Sequence, residues 1–480
     1  MVNRKAEKRR LIIYTDFLFV LGSNFRLSLA ELDNVLQYSQ FKGRIKDYSA
    51  NIAVVEFDSL HLEEFYINKL MEVQFLLGGC QKIAQIYDFI HINDIFNAFP
   101  LMIEKYKIVE KSRTKISLIL DKVLDQIFPN IKNQSIFFAV SIYPNLYDDE
   151  YYSKVLVRHF LPFLNKEIMI SLKKKGAKKS LYYKYPEKNI ESGKLNPIFP
   201  HILIKYKLFS EERAEIIFGF TEEGVYIART FTADNPNFKK KIDEEKPFKE
   251  FKSSISPKLS IMMLNFLNLF EQREEKKVLD PFVGNGTIFL FGLLQDFQIY
   301  GTDFDQKKVI NTIRNVNWLL EELEEKVPYF LKERIKNIEL ENLSEFFEPN
   351  FFDGICTEPS LGPFYTDKPY YIHAMEFIES ELEPLYNTIF READEVLKPK
   401  GRICLTAPII STVDGGDVQL SVNKIALNYN FKLIPMINTK RIVNKSNIKL
   451  QFQKQHRMNL IDAKKGQVLK RKIYIFEKKP

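Results

Sequence analysis

Two short segments carry residue types that could do chemistry, and each follows an apolar stretch typical of a β-strand. The first runs DPFVGNGT from Asp280 to Thr287, and the second runs TEPSLGPF from Thr357 to Phe364. The two glycines of the first segment let the backbone approach a ligand closely, and a helix starting there would offer free N–H groups. Downstream, GTDFD ends another apolar stretch, and its first acid, Asp303, could accept two hydrogen bonds from ribose hydroxyls. The pattern indicates a nucleotide-type cofactor site.

The glycine spacing separates two kinds of cofactor loop. A dinucleotide-binding loop carries a third glycine, and here that position is Phe289. A pair of glycines alone is also compatible with an ordinary tight turn. The surrounding residues therefore decide the interpretation.

Those surroundings resemble a known family. DPFxGxGT followed by GTDxD resembles the cofactor loop of amino-group methyltransferases that act on nucleic acid, and residues 391–403 resemble the helix and turn that lead into strand five of that fold. The resemblance implies S-adenosylmethionine as cofactor, with Asp303 on its ribose and Asp305 as the reserve candidate for that role. The full set of cofactor-binding residues that it implies is Asp280, Pro281, Phe282, Gly284, Gly286, Thr287, Asp303 and Asp305.

The second segment lies where such enzymes hold the reacting amine. They usually carry Asp or Asn, then Pro-Pro and an aromatic residue, whereas this chain has Glu358, Pro359, Ser360 and Leu361. An exocyclic amine is a poor nucleophile because its lone pair is delocalised into the ring. A side-chain oxygen and a backbone carbonyl that accept both N–H groups turn the lone pair toward the methyl group, so positioning and electrostatics would carry the catalysis. We predict Glu358, Pro359 and Ser360 as catalytic residues. The aromatic contact to the base would come from Phe364 or from Tyr365.

The elements around these segments predict an α/β fold. Apolar strands near 277–279, 298–302, 352–356 and 402–407 alternate with helical stretches, which favours a mostly parallel, Rossmann-like sheet. Further strands near 431–437 and 470–477 would close a seven-stranded sheet as an antiparallel pair. Glu341, at the end of a predicted third strand, could reach the adenine amine, whereas Asn311, Asn315 and Asn317 fit a helix surface.

The N-terminal half predicts an α+β arrangement. Strands are expected at 17–21, 51–57, 80–90, 136–141, 202–208 and 214–220, with another near 225–229. Ser28 and Glu31 fit a capping box at the start of a helix. Residues 232–252 are charged and aperiodic, as linkers are. The predicted domains are 1–94, 95–230, a linker at 231–252, and 253–480.

A further segment narrows the resemblance. Residues 251–259, which include a helix start at Ser256 and Pro257, are similar to a segment of the archaeal and eukaryotic tRNA guanosine-10 N2-methyltransferase family. Residues 17–22 and 27–32 resemble the first strand and helix of such proteins. The family resemblance implies a ferredoxin-like domain, a THUMP-like RNA-binding domain and tRNA as the partner. It also allows a small activating subunit, with the chain otherwise a monomer.

Charge supports a polyanionic partner. The 480-residue chain has a formal net charge of +8, and residues 166–194 hold nine Lys against three Glu. Clustered lysines bind phosphates, and interleaved tyrosines can stack on unpaired bases, although they also fit a protein core. We predict that the substrate contacts Lys173, Lys174, Lys178 and Lys179 in addition to Phe364. Residues 431–480, with 14 Lys and Arg against two acids, form a second basic stretch.

The remaining composition excludes several classes of protein. The three cysteines have neither a disulfide nor a zinc-ligand pattern, so we expect no metal and a reducing, cytoplasmic environment. We find no uncharged apolar stretch of 18 residues, which argues against a membrane protein. Two alternatives to tRNA methylation stay open: an amino-methyltransferase acting on rRNA or DNA, and a catalytically silent RNA-binding protein with a methyltransferase fold.

Overall fold

The computed structural model describes residues 16–57, 66–94, 110–147, 156–186, 198–250, 255–325, 329–363, 365–464 and 466–480. The described residues fall into two compact units. Of these residues, one unit draws on those within 16–20, 46–72 and 82–233, and the other on those within 21–45, 73–81 and 234–480. The domain bounds given above stay a prediction.

An eight-stranded mixed sheet dominates the first unit. Its strand order is β2-β3-β1-β4-β8-β7-β5-β6, with β5 parallel to both β6 and β7 and the pairs β1–β3, β4–β8 and β7–β8 antiparallel. The strands are β1 Asp16–Leu21, β2 Gly43–Tyr48, β3 Ile52–Phe57, β4 Cys80–His91, β5 Ser135–Tyr143, β6 Lys179–Tyr182, β7 Arg213–Phe220 and β8 Gly224–Ala233. The helices of this half of the chain are α1 Phe25–Tyr38, α2 Tyr66–Leu76, α3 Glu110–Ile127, α4 Leu161–Lys174 and α5 Pro200–Tyr206.

The core of this unit lies between the sheet and the α3–α4 pair. Leu124 of α3 and Ile168 of α4 pack in one buried cluster with Phe138 and Phe218 of the strands. A buried ion pair lies within the sheet, where Lys82 Nζ is 2.6 Å from Glu215 Oε1. The first unit thus combines a sheet with packed helices, which is the α+β arrangement that the sequence predicts.

Three local predictions for the N-terminal half were wrong. Residues 202–208 form most of helix α5 and not a strand, because Pro200 favours a helix start and Lys207 ends the helix in a left-handed conformation. The helix expected to start at Ser28 is capped by Asn24, whose side chain accepts a hydrogen bond from the Leu27 N–H. Glu31 does not form a capping box; its carboxylate is buried and accepts backbone N–H groups from elsewhere in the chain. Strand β2 was not predicted, since three of its six residues are charged and two of these are exposed.

The second unit contains the predicted seven-stranded sheet. Its order is β11-β10-β9-β12-β13-β17-β15, in which the first five strands are parallel and β17 is antiparallel to both β13 and β15. This is the mostly parallel, Rossmann-like sheet that the sequence predicted. The strands are β9 Lys277–Asp280, β10 Gln298–Asp303, β11 Ile335–Asn337, β12 Phe352–Thr357, β13 Leu397–Ser411, β15 Phe431–Leu433 and β17 Leu469–Lys478, with short strands β14 Asp417–Gln419 and β16 Leu460–Asp462 at the side.

Helices cover this sheet and separate its strands along the chain. They are α6 Pro236–Glu244, α7 Pro257–Asn265, α8 Thr287–Leu294, α9 Gln306–Glu322, α10 Leu343–Phe346, α11 Tyr371–Phe377, α12 Glu383–Val396, α13 Val422–Leu427 and α14 Lys454–Met458. The predicted start of α7 is confirmed, because the Ser256 side chain accepts the Leu259 N–H and Pro257 is the first helical residue. Helix α6 lies in the segment predicted to be an aperiodic linker.

The strand order indicates which edge of the sheet would bind a ligand. Strand β9 lies between β10 and β12, so consecutive parts of the chain diverge to either side of it. Open parallel sheets bind ligands at the carboxyl ends of strands at such a switch point. Asp280, Asp303 and Thr357 are the last residues of β9, β10 and β12, so they meet at this edge.

Candidate active site

A cavity of about 380 Å³ opens at this edge of the second unit. Its walls come from the loop after β9, the loop after β12 and the start of β17, and the segment before α7 adds Glu250 and Ile255. Seven of the residues predicted from the sequence line it together: Asp280, Phe282, Gly284, Thr287, Glu358, Pro359 and Ser360. Pro281, Gly286, Asp303 and Asp305 are not among its lining residues, and Phe364 lies outside the described residues.

The loop after β9 has a backbone that only glycine accommodates well. Gly284 and Gly286 have φ values of 52° and 82°, in the left-handed region. A Cβ atom on Gly286 would lie 2.7 Å from Thr312 Cγ2, so a side chain there would clash with the Thr312 side chain of α9. The Thr312 hydroxyl donates to the Gly284 carbonyl at 2.7 Å. The loop is thus held open to the cavity, with the start of α8 at its end.

Asp280 is the buried acid of the cavity. It is 1% exposed, and its Oδ1 accepts the Thr357 hydroxyl at 2.7 Å and the Phe282 N–H at 3.2 Å. Burial raises the pKa of Asp280 to about 7, against the hydrogen bonds that lower it. A cationic ligand group placed here would therefore favour the ionised carboxylate.

The two acids after β10 have different roles in the fold. The Asp303 carboxylate accepts the Gly284 N–H at 2.9 Å and the Asp305 N–H at 3.0 Å, which ties the end of β10 to the glycine loop. Burial raises the pKa of Asp303. Asp305 caps α9 by accepting the Lys307 N–H at 2.8 Å. A carboxylate has about four acceptor positions, so Asp303 keeps capacity for two hydroxyl donors.

Glu358 is held by an arginine from the far end of the chain. Arg471 Nε lies 2.6 Å from Glu358 Oε2, and its Nη2 lies 3.0 Å from Oε1. The Thr406 hydroxyl also donates to Oε2 at 3.3 Å. Burial lowers the pKa of Arg471, but the hydrogen bonds and charge of Glu358 raise it further, so the guanidinium stays charged. These three donors leave Glu358 about one acceptor position, on Oε1.

Several residues of the site were missed by the sequence analysis. Arg471 and Thr406 carry no local motif, and only the sheet pairing brings β17 and β13 to Glu358. Asn315 was wrongly expected on a helix surface. It is 0% exposed and donates to the carbonyls of Asn285 and Phe248, both at 2.8 Å, which supports the glycine loop from behind. Glu341 was also misplaced: β11 ends at Asn337, and Glu341 lies exposed in the following turn.

The predicted lysines lie in the first unit and are exposed. Lys173 and Lys174 end α4, and Lys178 and Lys179 lead into β6. The neighbouring tyrosines pack against the protein core, and the Tyr185 hydroxyl donates to the Val140 carbonyl at 2.7 Å. Of the two roles left open for these tyrosines, the core role is the observed one.

Two kinds of feature were not found in the described part of the chain: a metal-ligand cluster and a membrane-spanning helix. Within it, His, Cys, Asp and Glu side chains nowhere form a group of three or more suited to a metal ion. No helix among the described residues is long and apolar enough to span a bilayer.

Comparisons with known proteins find likeness only at the level of structure. No family model matches the chain, and no curated protein matches it by sequence. The structure is similar to TrmN from Thermus thermophilus, with 14% identity, a TM-score of 0.49, and 96% of this chain and 99% of that one covered. It is also similar to a protein described as a possible methylase from Clostridium difficile 630, with 12% identity, a TM-score of 0.41, and 97% and 98% of the two chains covered. Because these sequence identities are low and these TM-scores are below 0.5, the assignment of the fold rests on the strand order of the sheet.

Proposed function

We propose that this protein is an S-adenosylmethionine-dependent RNA methyltransferase that methylates the exocyclic N2 amine of a guanosine in tRNA. The observation that carries the proposal is the cavity in which the glycine loop after β9 meets Glu358 after β12. A cofactor loop and an acceptor for an amine thus face the same space, as methyl transfer requires.

The residues present fit the proposed cofactor. Gly284 lines the cavity without a side chain, and the start of α8 offers N–H groups to an anion. Asp280 lies where it could meet the ammonium of the amino-acid end, and Asp303 keeps acceptor positions for ribose hydroxyls. When bound, S-adenosylmethionine would supply an electrophilic methyl group.

The chain's own part in the reaction is to position the amine. The remaining acceptor position on Glu358 Oε1 takes one amine N–H, and a backbone carbonyl at Pro359 or Ser360 takes the other. The lone pair then points into the cavity, toward the cofactor loop. Because Arg471 neutralises Glu358, the carboxylate acts as a fixed acceptor. Half-buried Tyr365, which lines the cavity, supplies an aromatic face for the base.

The choice of guanosine in tRNA rests on the resemblance of residues 251–259 and of the N-terminal half to the tRNA guanosine-10 N2-methyltransferase family. The four exposed lysines suit phosphate contacts of a THUMP-like RNA-binding domain. The same cavity would also serve an amine in rRNA or DNA.

One observation favours a second candidate, an RNA-binding protein with a silent methyltransferase fold. Three hydrogen bonds from Arg471 and Thr406 already occupy most of the Glu358 carboxylate. In the silent protein this ion pair would only hold the loop together.

A transfer assay distinguishes the two. The protein is incubated with S-adenosylmethionine labelled in its methyl group and, separately, with unmodified tRNA, rRNA and DNA. We expect label in tRNA, and we expect Glu358→Ala to lose about 100-fold or more of the rate while still binding S-adenosylhomocysteine. If the cofactor binds but no nucleic acid is labelled, the silent candidate is correct. If Glu358→Ala keeps full activity, Glu358 is not the acceptor.

A further inference from the structure

A lysine lies buried behind the glycine loop. Lys246, between α6 and α7, is 1% exposed, and its Nζ donates to the Thr287 hydroxyl at 2.7 Å. Thr287 is the first residue of α8 and lines the cavity. The ammonium group is therefore one side chain away from the cavity.

Lys246 has no close anionic partner among the described residues. Its Nζ bonds to the Thr287 hydroxyl, and the carboxylate of Asp243 acts on it only from beyond ion-pair distance. Burial lowers the pKa of Lys246, attraction by Asp243 raises it, and repulsion by Lys249 lowers it. A buried cation without an anionic partner is costly, and an anion bound next to it removes that cost. The position thus calls for a ligand anion on the cavity side of Thr287.

The helix start and the lysine favour the same charge. The first N–H groups of α8 have no partner within the helix and attract anions. Asp280, on the other arm of the same loop, favours a cation. A ligand with a carboxylate and an ammonium on one carbon would match both, and such a group forms the amino-acid end of S-adenosylmethionine.

We propose that Lys246, held against Thr287, provides the positive charge that binds the carboxylate of the cofactor's amino-acid end. This inference rests on the proposed function, because it assumes that cofactor. It assigns Lys246 as a positioning residue that acts through Thr287 and the start of α8.

The test compares two nucleosides by calorimetry. S-Adenosylhomocysteine carries the amino-acid end, whereas 5′-methylthioadenosine shares the adenosine and the thioether but lacks it. We expect Lys246→Met to lower the affinity for S-adenosylhomocysteine at least about tenfold. Its affinity for 5′-methylthioadenosine should change by less than about twofold. Lys246→Arg keeps the charge and should restore most of the affinity. Lys240→Met, an exposed lysine of α6, is the matched control and should change neither.

The outcomes separate the inference from the proposed function. If the wild-type protein binds neither nucleoside, the proposed cofactor is wrong and the inference falls with it. Two results would overturn only the inference, provided that the wild type binds S-adenosylhomocysteine. In the first, Lys246→Met binds S-adenosylhomocysteine as tightly as the wild type does. In the second, Lys246→Met loses affinity for both nucleosides to the same extent. Should Lys246→Met fail to fold, the wild type is compared on S-adenosylhomocysteine and its decarboxylated analogue. A loss of at least about tenfold for the analogue supports the carboxylate site, and equal affinity contradicts it.

Discussion

Arg471 donates two hydrogen bonds to the carboxylate of Glu358, a residue 113 positions earlier in the chain. The ion pair joins the loop after β12 to the antiparallel strand β17, next to the glycine loop. Both side chains are largely buried, at 14% and 11% exposure, so the pair is well shielded from solvent. Its geometry fixes which carboxylate oxygen keeps an acceptor position for a substrate.

The first prediction concerns this ion pair. Arg471→Lys keeps the charge but cannot donate the same two parallel hydrogen bonds, so we expect kcat to fall about tenfold. Arg471→Met leaves Glu358 buried and unpaired, and kcat should fall further, together with the melting temperature. Steady-state kinetics and calorimetry measure both effects.

The affinity for S-adenosylhomocysteine should stay within about twofold in both Arg471 variants, because Arg471 is paired with Glu358 and not with the glycine loop. Lys470→Met, at the neighbouring position of β17, is the control and should leave kcat unchanged. An Arg471→Met variant with wild-type kcat would show that the orientation of Glu358 does not matter.

The second prediction follows from the raised pKa of Asp280. The folded chain holds this proton up to about pH 7, whereas the unfolded chain releases it near 3.8. Between these values the unfolded state binds fewer protons, so this carboxyl lowers the free energy of unfolding as the pH rises. Asp280→Asn has no ionisable group at this position, so it does not show this decrease in the free energy of unfolding. Its melting temperature relative to wild type should therefore increase from pH 5 to pH 8, as measured by calorimetry without ligand.

The same substitution should lower the affinity for S-adenosylmethionine, because the ammonium group of the cofactor loses its charge partner. A difference in melting temperature that is constant across this pH range would contradict the assigned protonation of Asp280.

The third prediction concerns Glu31, a buried carboxylate of the second unit. It accepts the N–H groups of Gly78 and Gly79 at 2.8 and 2.7 Å and an amide hydrogen of Asn265 at 2.7 Å. Glu31→Ala leaves three buried donors without this acceptor, so the free energy of unfolding should fall by about 3 kcal/mol. Urea unfolding measures this, and Glu379→Ala at an exposed position is the control. A loss below about 1 kcal/mol would mean that water replaces the carboxylate.

The fourth prediction concerns the exposed lysines of the first unit. Replacing Lys173, Lys174, Lys178 and Lys179 with Ala should weaken tRNA binding about uniformly across sequences and reduce its salt dependence. Filter binding over a range of salt concentrations measures the slope. The control is Lys115→Ala with Lys122→Ala, two lysines that are paired with Asp94 and Asp88. An unchanged slope in the fourfold variant would remove these lysines from the RNA contact.

The sequence predicted the parts of the structure that depend on local pattern. The apolar strands and the glycine loop identified the seven-stranded sheet and the residues from Asp280 to Thr287, because period and turn chemistry are local. The residues it missed act over long separations. Arg471 reaches Glu358 only through the pairing of β17 with β13, and Lys246 bonds to Thr287 across 41 positions of the chain.

The errors have the same origin. Glu31 fits a capping box in the sequence, but the buried N–H groups of Gly78 and Gly79 take its carboxylate. Asn315 looks like a surface residue of a helix, but the glycine loop needs its amide. In both cases a tertiary contact outweighs a local preference.

The most direct test of the central claim is to identify the methylated nucleoside. The wild-type protein is incubated with S-adenosylmethionine carrying a deuterated methyl group and with unmodified tRNA, which is then digested and analysed by mass spectrometry. The account predicts deuterated N2-methylguanosine in the wild-type reaction and its loss with Glu358→Ala. Deuterium in another nucleoside, or in none while S-adenosylmethionine binding is confirmed, would contradict it.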